Sequence, residues 1–236
     1  MTTPPAYCRP AAFEAFRREA PAAGDAIGLL RAATAIALHA DPDASIDGAV
    51  RTVGRLSESV RRRLRSDSQP ALLAHLHDVL FEVVGFRGAE GADYYNPDNS
   101  YLPRVLQTRR GIPISLVLLY RAVAAPLGLR VEGVNAPGHF LAAVYCQEPT
   151  GEQQMYVDPF YSGALLSRDE AIARVESVTG GLPQSFDASA VDVLGLATPR
   201  AWLGRMLLNL QAIFARSGQE RDLLAMQELA SLLPEE

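Results

Sequence analysis

A serine, a histidine and an aspartate occur in an order that suits nucleophilic catalysis. Ser115 lies at the start of an apolar helical stretch, His139 lies on a β-like run, and Asp158 ends the following strand. A helix N-terminus stabilises negative charge on a nucleophile, an imidazole accepts its proton, and a carboxylate holds the imidazole in one tautomer. The order therefore predicts a hydrolase or acyltransferase site. A His139–Asp158 hydrogen bond that only joins two strands is the structural alternative.

The spacing of apolar residues changes from a helical to a strand-like period along the segments that must position these three residues. A short helix capped by Asn99 or Ser100 and ending in Arg109 and Arg110 is predicted first. An apolar helix is predicted over residues 114–125, and β-like runs follow at 129–135, 139–146 and 153–158. Short strands joined by tight turns favour an antiparallel sheet over βαβ units. We therefore expect an α+β fold in which this small sheet carries the histidine and the aspartate.

Helices are predicted on both sides of this core. Apolar residues recur every three or four positions in the segments 25–40, 45–65, 70–84, 169–178, 200–216 and 219–233. The last two have the size of one tetratricopeptide unit, which must dock on the core or on a partner because it cannot bury its faces alone. We divide the chain into a helical region (1–90), a core (91–178), a connecting segment (179–199) and a helix hairpin (200–236).

Composition excludes several classes of protein. The chain has 236 residues, 48% of them hydrophobic and 21% charged, which is enough apolar material for a sizeable core. It contains no lysine, so a Walker-type phosphate loop, a protein kinase and a pyridoxal Schiff-base enzyme are ruled out. The net charge of −5 argues against a nucleic-acid partner.

The sequence also bears on the location of the protein and on whether it binds a metal ion or a cofactor. The first residues lack the apolar centre of a signal peptide, and no uninterrupted apolar run reaches the length of about 18 residues that a membrane span needs. Cys8 and Cys146 show no paired spacing that would indicate a zinc site or a secreted disulfide scaffold. We expect a cytoplasmic protein with no membrane association, no metal site and no cofactor.

Neither cysteine is a good candidate nucleophile. On a strand that begins at His139, Cys146 points to the opposite face and lies about 23 Å farther along, at about 3.3 Å per residue. Cys8 lies in a Pro-rich N-terminal stretch that we expect to be mobile.

Four sequence blocks resemble one known family. They are YNPDNSYL at 95–102, RRGIPISL at 109–116, PGHFL at 137–141 and VDPF at 157–160, and they look like the signature blocks of the SirB-type transglutaminase-like family. The first third of the chain and the closing helices are similar to that family as well. The resemblance implies a papain-like core in which the helix that carries the nucleophile packs against an antiparallel sheet with His and Asp. It also implies a tetratricopeptide-like tail, here in a short form.

The nucleophile is where this sequence departs from the family. Active members have a cysteine in a Gly-x-Cys helix start, whereas here Gly111 is followed by Ile112 and Pro113. The nucleophile position falls nearer Pro113 than Ser115, which is the closest hydroxyl. The resemblance also suggests Tyr95, Asn99 and Arg110 as ligand-binding residues at the rim of the cleft.

Three hypotheses follow. The leading one is an interaction or regulatory protein on a degenerate transglutaminase-like core, with a protein partner and a small-molecule or peptide ligand in the cleft. The alternative is a hydrolase or acyltransferase that uses Ser115, His139 and Asp158. The third is an adaptor that acts only through its terminal helices, which predicts that the rest of the chain stays folded after residues 200–236 are deleted.

Overall fold

The computed structural model describes residues 4–66, 68–148, 151–180 and 193–233, and its fold is α+β as predicted. In these ranges the helices are α1 (Pro10–Glu19), α2 (Ala26–Ala37), α3 (Ile46–Arg61), α4 (Gln69–His77), α5 (Leu102–Thr108), α6 (Pro113–Ala124), α7 (Arg168–Thr179), α8 (Pro199–Ser217) and α9 (Glu220–Ala230). A π-helical segment, Asp78–Val83, continues α4. The predicted helices are therefore present, with α1 in addition.

The predicted antiparallel sheet is confirmed. Its strands are β3 (Arg130–Val134), β4 (Leu141–Glu148), β5 (Gly151–Asp158) and β6 (Ala164–Leu166), paired in that order. A separate parallel pair joins β1 (Arg87–Gly88) to β2 (Arg110–Gly111). This second pair was not predicted, and it links segments that lie more than twenty residues apart in the sequence.

His139 lies in a turn and not on a strand, so that detail of the sequence prediction is wrong. Its backbone N–H donates to Ala136 O at 3.3 Å, and β4 begins only at Leu141. Pro137 lacks a backbone N–H for a ladder, and Gly138 has a positive φ of 64° that suits a turn. The turn holds the imidazole at the end of the sheet.

The central helix α6 forms the middle of the molecule. All but one of its residues are buried, and it contacts α2 and α3 on one side and β3 and β4 on the other. The helices of the N-terminal layer begin as their sequences indicate: Asp25 caps α2 and Ser45 caps α3, each through a side-chain oxygen that accepts a backbone N–H. Their apolar faces cover the side of α6 that faces away from the sheet.

Residues 6–8 of the N-terminal stretch are held against the core, so the expectation that the stretch around Cys8 is mobile is wrong. Pro10 opens α1, a position where its missing N–H costs no hydrogen bond. Cys8 is buried in the main core, and burial raises the pKa of its thiol to about 12. The Glu228 carboxylate accepts the backbone N–H groups of Ala6, Tyr7 and Cys8 at 2.7–3.2 Å. The thiol therefore packs as an apolar group.

The C-terminal helix hairpin docks on the core of the same chain. Five consecutive inward-facing side chains of α8 are almost completely buried: Trp202, Leu203, Met206, Leu207 and Leu210. Because each such side chain contributes about 1.5–3 kcal/mol, their loss would remove about 10 kcal/mol, comparable with the about 5–15 kcal/mol of a whole domain. The packing thus contradicts the adaptor hypothesis, which needs the remainder to stay folded without residues 200–236.

One continuous core includes residues from α1, α2, α6, β4, α8 and α9, so it extends across the divisions drawn at residues 90 and 200. Much of the predicted connecting segment, residues 181–192, lies outside the described residues. The part that follows it joins the edge of the sheet: Asn135 N–H donates to Gly195 O at 3.0 Å and Ala197 N–H to Gly133 O at 2.7 Å.

Candidate functional site

His139 and Asp158 form the predicted pair. His139 Nε2 lies 2.9 Å from Asp158 Oδ2, and both side chains are buried. The same carboxylate accepts the Phe160 backbone N–H at 3.2 Å and an Arg174 guanidinium N–H at 3.2 Å. Because the carboxylate accepts a hydrogen bond from Nε2, Nδ1 is the ring nitrogen left for another partner.

A cavity of about 550 Å³ opens beside the His139 ring. Its aromatic wall contains Tyr94, Tyr95, Phe160 and Tyr161, whose neighbouring ring centroids lie 5.1–6.0 Å apart. The remaining lining residues are Arg87, Gly88, Ala89, Glu90, Gly91, Pro113, Ser162 and Val178. Burial raises the pKa of Tyr94, so its phenol is protonated at neutral pH. One wall of the cavity is thus aromatic, and His139, Arg87 and Glu90 are polar groups in its lining.

Pro113, not Ser115, lines the cavity together with His139. Ser115 is completely buried, and its hydroxyl lies 2.8 Å from Asn99 O and 2.9 Å from Ile112 O while accepting the Ile112 N–H at 3.1 Å. Within the described part of the chain Ser115 makes no hydrogen bond with His139. The structure therefore does not assemble the Ser115–His139–Asp158 triad of the alternative hypothesis.

The three predicted rim residues have different places. Tyr95 lines the cavity, half exposed, and its ring stacks under the Arg216 guanidinium at 4.1 Å. Arg110 lies outside the cavity, in an adjoining pocket. Asn99 is not a rim residue, because it is buried and its side-chain amide donates to Asp93 O at 2.6 Å. Asn99 instead braces the loop that leads into α5.

The C-terminal helix α8 positions the turn that carries His139. Arg205 donates to Asn135 Oδ1 at 2.5 Å and to Ala136 O at 2.7 Å, on the segment that precedes the histidine. The Trp202 ring packs against Phe140, the residue that follows it, with centroids 4.7 Å apart. Hydrogen bonds before the histidine and ring packing after it therefore restrict the imidazole to one orientation.

Sequence reasoning missed Arg174 and gave Phe160 and Tyr161 no role. Arg174 holds Asp158 and also stacks over the Tyr161 ring at 4.1 Å, so it joins the buried pair to the aromatic wall. Phe160 ends the VDPF block and Tyr161 follows it directly, so both offered a signal. Arg174 offered none, because an arginine on a polar helix is usually a solvated surface residue.

No cluster of three His, Cys, Asp or Glu residues that could bind a metal ion occurs in the described ranges. Likewise, no helix there is long and apolar enough to cross a bilayer.

Comparison with known proteins identifies the family. The sequence model of the transglutaminase-like superfamily matches residues 48–208. The chain belongs to the transglutaminase-like superfamily. The matched residues of this transglutaminase-like chain include α6, the whole antiparallel sheet and the His139–Asp158 pair. The SirB-type label and the tetratricopeptide-like character of the tail stay predictions.

Similar proteins come from bacteria and mammals. The transglutaminase-like chain is 33% identical over 186 residues to a UPF0162 protein of Xylella fastidiosa, which is 76% of this chain and 64% of that protein. F-box only protein 21 of Mus musculus is 32% identical over 170 residues, which is 70% of this chain and 25% of the mouse protein. The chain thus spans less than two thirds of the length of these relatives. No solved structure matches it.

Proposed function

We propose that this chain is a cytoplasmic, non-catalytic binding protein whose transglutaminase-like cleft holds a peptide segment of a protein partner. The observation that carries the proposal is Pro113, which lines the cavity together with His139. An acyl-transfer site needs a nucleophile and donors for the developing oxyanion. A proline supplies neither a reactive group nor a backbone N–H at that position.

Several features of the cavity favour binding over chemistry. Its volume lies within the range of about 300–1,000 Å³ that is usual for ligand sites. Tyr95, Tyr161 and Val178 line it while 43–49% exposed, and exposed apolar groups around a concavity mark binding surfaces. Asp158 binds His139 at Nε2, which leaves Nδ1 as the ring nitrogen that can form a hydrogen bond with a peptide.

Restoring a nucleophile tests whether Pro113 stands in the catalytic position. We expect Pro113→Cys to react with iodoacetamide at pH 6.5 at least about tenfold faster than Pro113→Cys combined with His139→Ala, since a neighbouring imidazole favours the thiolate. The wild-type chain is the control for Cys8 and Cys146, which are both buried. Equal rates in the two variants would show that the side chain at position 113 does not face His139.

Peptide binding is tested with a displayed library of random peptides. Val178→Trp narrows the mouth of the cavity from an exposed helical position, and Leu208→Trp places the same group on an exposed helical position outside it. We expect peptides enriched on the wild type to bind Leu208→Trp equally and Val178→Trp at least about tenfold more weakly. Failure to enrich any peptide that separates these two variants would overturn the proposal.

Enzymatic turnover of an ester or amide substrate would contradict the proposal of a non-catalytic protein. Hydrolysis of p-nitrophenyl esters or peptide anilides by the wild type, lost in Ser115→Ala and in His139→Ala, would establish the enzyme hypothesis instead. We expect no hydrolysis above the rate without protein and no labelling by a serine-directed fluorophosphonate probe.

A further inference from the structure

The parallel β1–β2 pair places two arginines directly opposite each other. Arg87 is the register partner of Arg110, and the pairing is held by hydrogen bonds from Arg87 N–H to Arg109 O and from Ala89 N–H to Gly111 O, both at 3.0 Å. Residues opposed across two neighbouring strands lie on the same face of the sheet. Two like charges in that arrangement repel each other.

Glu90 and Asp93 lie in the same pocket as these two arginines, but neither carboxylate forms a direct ion pair with them. Among the residues that the structure describes, neither Arg87 nor Arg110 forms an ion pair, although other arginines of the chain do. Arg31 binds Glu19 at 2.8 Å and Arg121 binds Glu132 at 3.2 Å. The two guanidinium groups of the β1–β2 pair are therefore not held by a direct carboxylate partner in the described residues, and an anionic ligand can bind them.

The two arginines line a pocket that adjoins the His139 cavity. This pocket has a volume of about 370 Å³ and is lined by Arg87, Gly88, Ala89, Glu90, Asp93 and Arg110. The four residues from 87 to 90 line the His139 cavity as well. The shared residues therefore place the two arginines next to the His139 cavity.

We infer that Arg87 and Arg110 form a subsite for a carboxylate on the ligand whose apolar group occupies the His139 cavity. Guanidinium groups bind carboxylates through paired, charge-assisted hydrogen bonds. Glu90 and Asp93 in the same pocket disfavour a doubly charged phosphate, because its second charge would meet theirs. The inference rests on the proposed function, since it specifies the ligand of the same cleft.

A small compound with both groups tests the subsite directly. N-acetylphenylalanine carries an aromatic ring and a carboxylate, and N-acetylphenylalanine amide lacks only the charge. In titrations followed by NMR of the arginine Nε–Hε groups, we expect the acid to bind the wild type about tenfold more tightly than the amide and to shift the Arg87 and Arg110 signals. In Arg87→Gln combined with Arg110→Gln, the acid should bind no better than the amide.

The matched control is Arg109→Gln. Arg109 is exposed, adjoins Arg110 in sequence and lines neither pocket, so its loss removes one charge without touching the subsite. We expect this variant to keep the tenfold preference. A preference that falls equally in Arg109→Gln, or that is absent from the wild type, would overturn the inference. Inorganic phosphate that binds more tightly than the acid would overturn it as well.

Peptide binding then shows whether the carboxylate comes from a C-terminus or from an acidic side chain. It also tests the carboxylate subsite separately from the proposed peptide cleft. Each peptide enriched on the wild type is made in three forms, and their affinities are compared. The first form has a free C-terminal carboxylate, the second has a C-terminal amide, and the third has a C-terminal amide and an internal aspartate. If either carboxylate raises the affinity for the wild type but not for the double Arg→Gln variant, the subsite is supported. The form that binds more tightly identifies the source of the carboxylate. Equal binding of all three forms would refute the subsite and leave the proposed peptide cleft intact.

Discussion

His139 and Asp158 show how a buried carboxylate can fix the position of an imidazole. Three donors surround the carboxylate: the imidazole, the Arg174 guanidinium and the Phe160 backbone N–H. The carboxylate is therefore held by three hydrogen bonds and in turn fixes the imidazole through Nε2. This arrangement leaves Nδ1 as the ring nitrogen that can contact a ligand.

At the same scale, removing the Ser115 hydroxyl separates a structural role from a catalytic one. We expect Ser115→Ala to lower the free energy of unfolding by about 1 kcal/mol, the net value of one buried hydrogen bond. The loss is modest because Ile112 N–H still donates to Asn99 O at 3.2 Å and Ile112 O still accepts from Leu116. Urea unfolding measures the change.

Peptide binding provides the control for this variant. Peptides selected on the wild type should bind Ser115→Ala with unchanged affinity, because Ser115 does not line the cavity. A loss of binding in a fully folded Ser115→Ala protein would contradict this account.

Close packing between elements depends on glycines at three positions around the site. A Cβ atom on Gly88 would lie 2.6 Å from the Phe160 ring, one on Gly111 would lie 2.8 Å from Ser115 Oγ, and one on Gly133 would lie 2.3 Å from the Trp202 ring. The absence of a side chain lets β1, β2 and β3 approach the aromatic wall, α6 and α8. These contacts set the distance between the sheet and the helices that flank the cavity.

Gly133→Ala tests this packing at the scale of elements. We expect it to lower the free energy of unfolding by about 1–3 kcal/mol, because the methyl group displaces Trp202 and shifts α8 from β3. Gly54→Ala in α3 is the matched control: nothing lies within 4 Å of its Cβ position, and the helix gains up to about 1 kcal/mol from the better propensity of alanine. Denaturant unfolding of both variants measures the contrast, and equal effects would contradict the role of Gly133.

The two ends of the described chain are joined through the C-terminal helix hairpin. Glu228 of α9 accepts three backbone N–H groups of residues 6–8, and Asp222 of the same helix binds His39 at 2.9 Å. Arg205 and Trp202 of α8 meanwhile hold the turn that carries His139. The hairpin therefore contacts both the N-terminal layer and the turn beside the cleft.

Acid should release the N-terminal segment. Burial acts to raise the pKa of Glu228, but the backbone N–H donors of Cys8, Ala6 and Tyr7 lower it by more, so it lies below the ordinary carboxyl value. A carboxyl whose folded pKa is lowered contributes stability above its unfolded pKa and loses it as the pH falls through the folded value. The tether should therefore be complete at pH 7 and weaken in acid.

Amide hydrogen exchange measures this effect after correction for the intrinsic pH dependence of the rates. We expect protection at residues 6–8 to fall in acid in the wild type, and Glu228→Gln to show reduced protection already at pH 7. Glu176→Gln, on an exposed position of α7, should leave protection at residues 6–8 unchanged. Unchanged protection in Glu228→Gln would show that the carboxylate does not hold the segment.

Local pattern was enough to predict the elements that the sequence itself caps and spaces. The helices α2, α3 and α6, the antiparallel strands and the pairing of His139 with Asp158 all follow from periodicity, turn residues and a recognisable motif. The α1 helix was missed because its prolines suggested an irregular segment, whereas Pro10 stands at the first helical position.

Tertiary packing alone decided which side chains meet in the cleft. Nothing in the sequence indicated that Arg174 would reach Asp158, that β1 would bring Arg87 beside Arg110, or that Ser115 would turn its hydroxyl toward backbone oxygens. The physical reason is the distance along the chain over which each kind of interaction acts. Caps and periodicity depend on neighbours a few residues away, whereas the contents of a cavity depend on how distant elements pack, and the same local pattern is compatible with several such packings.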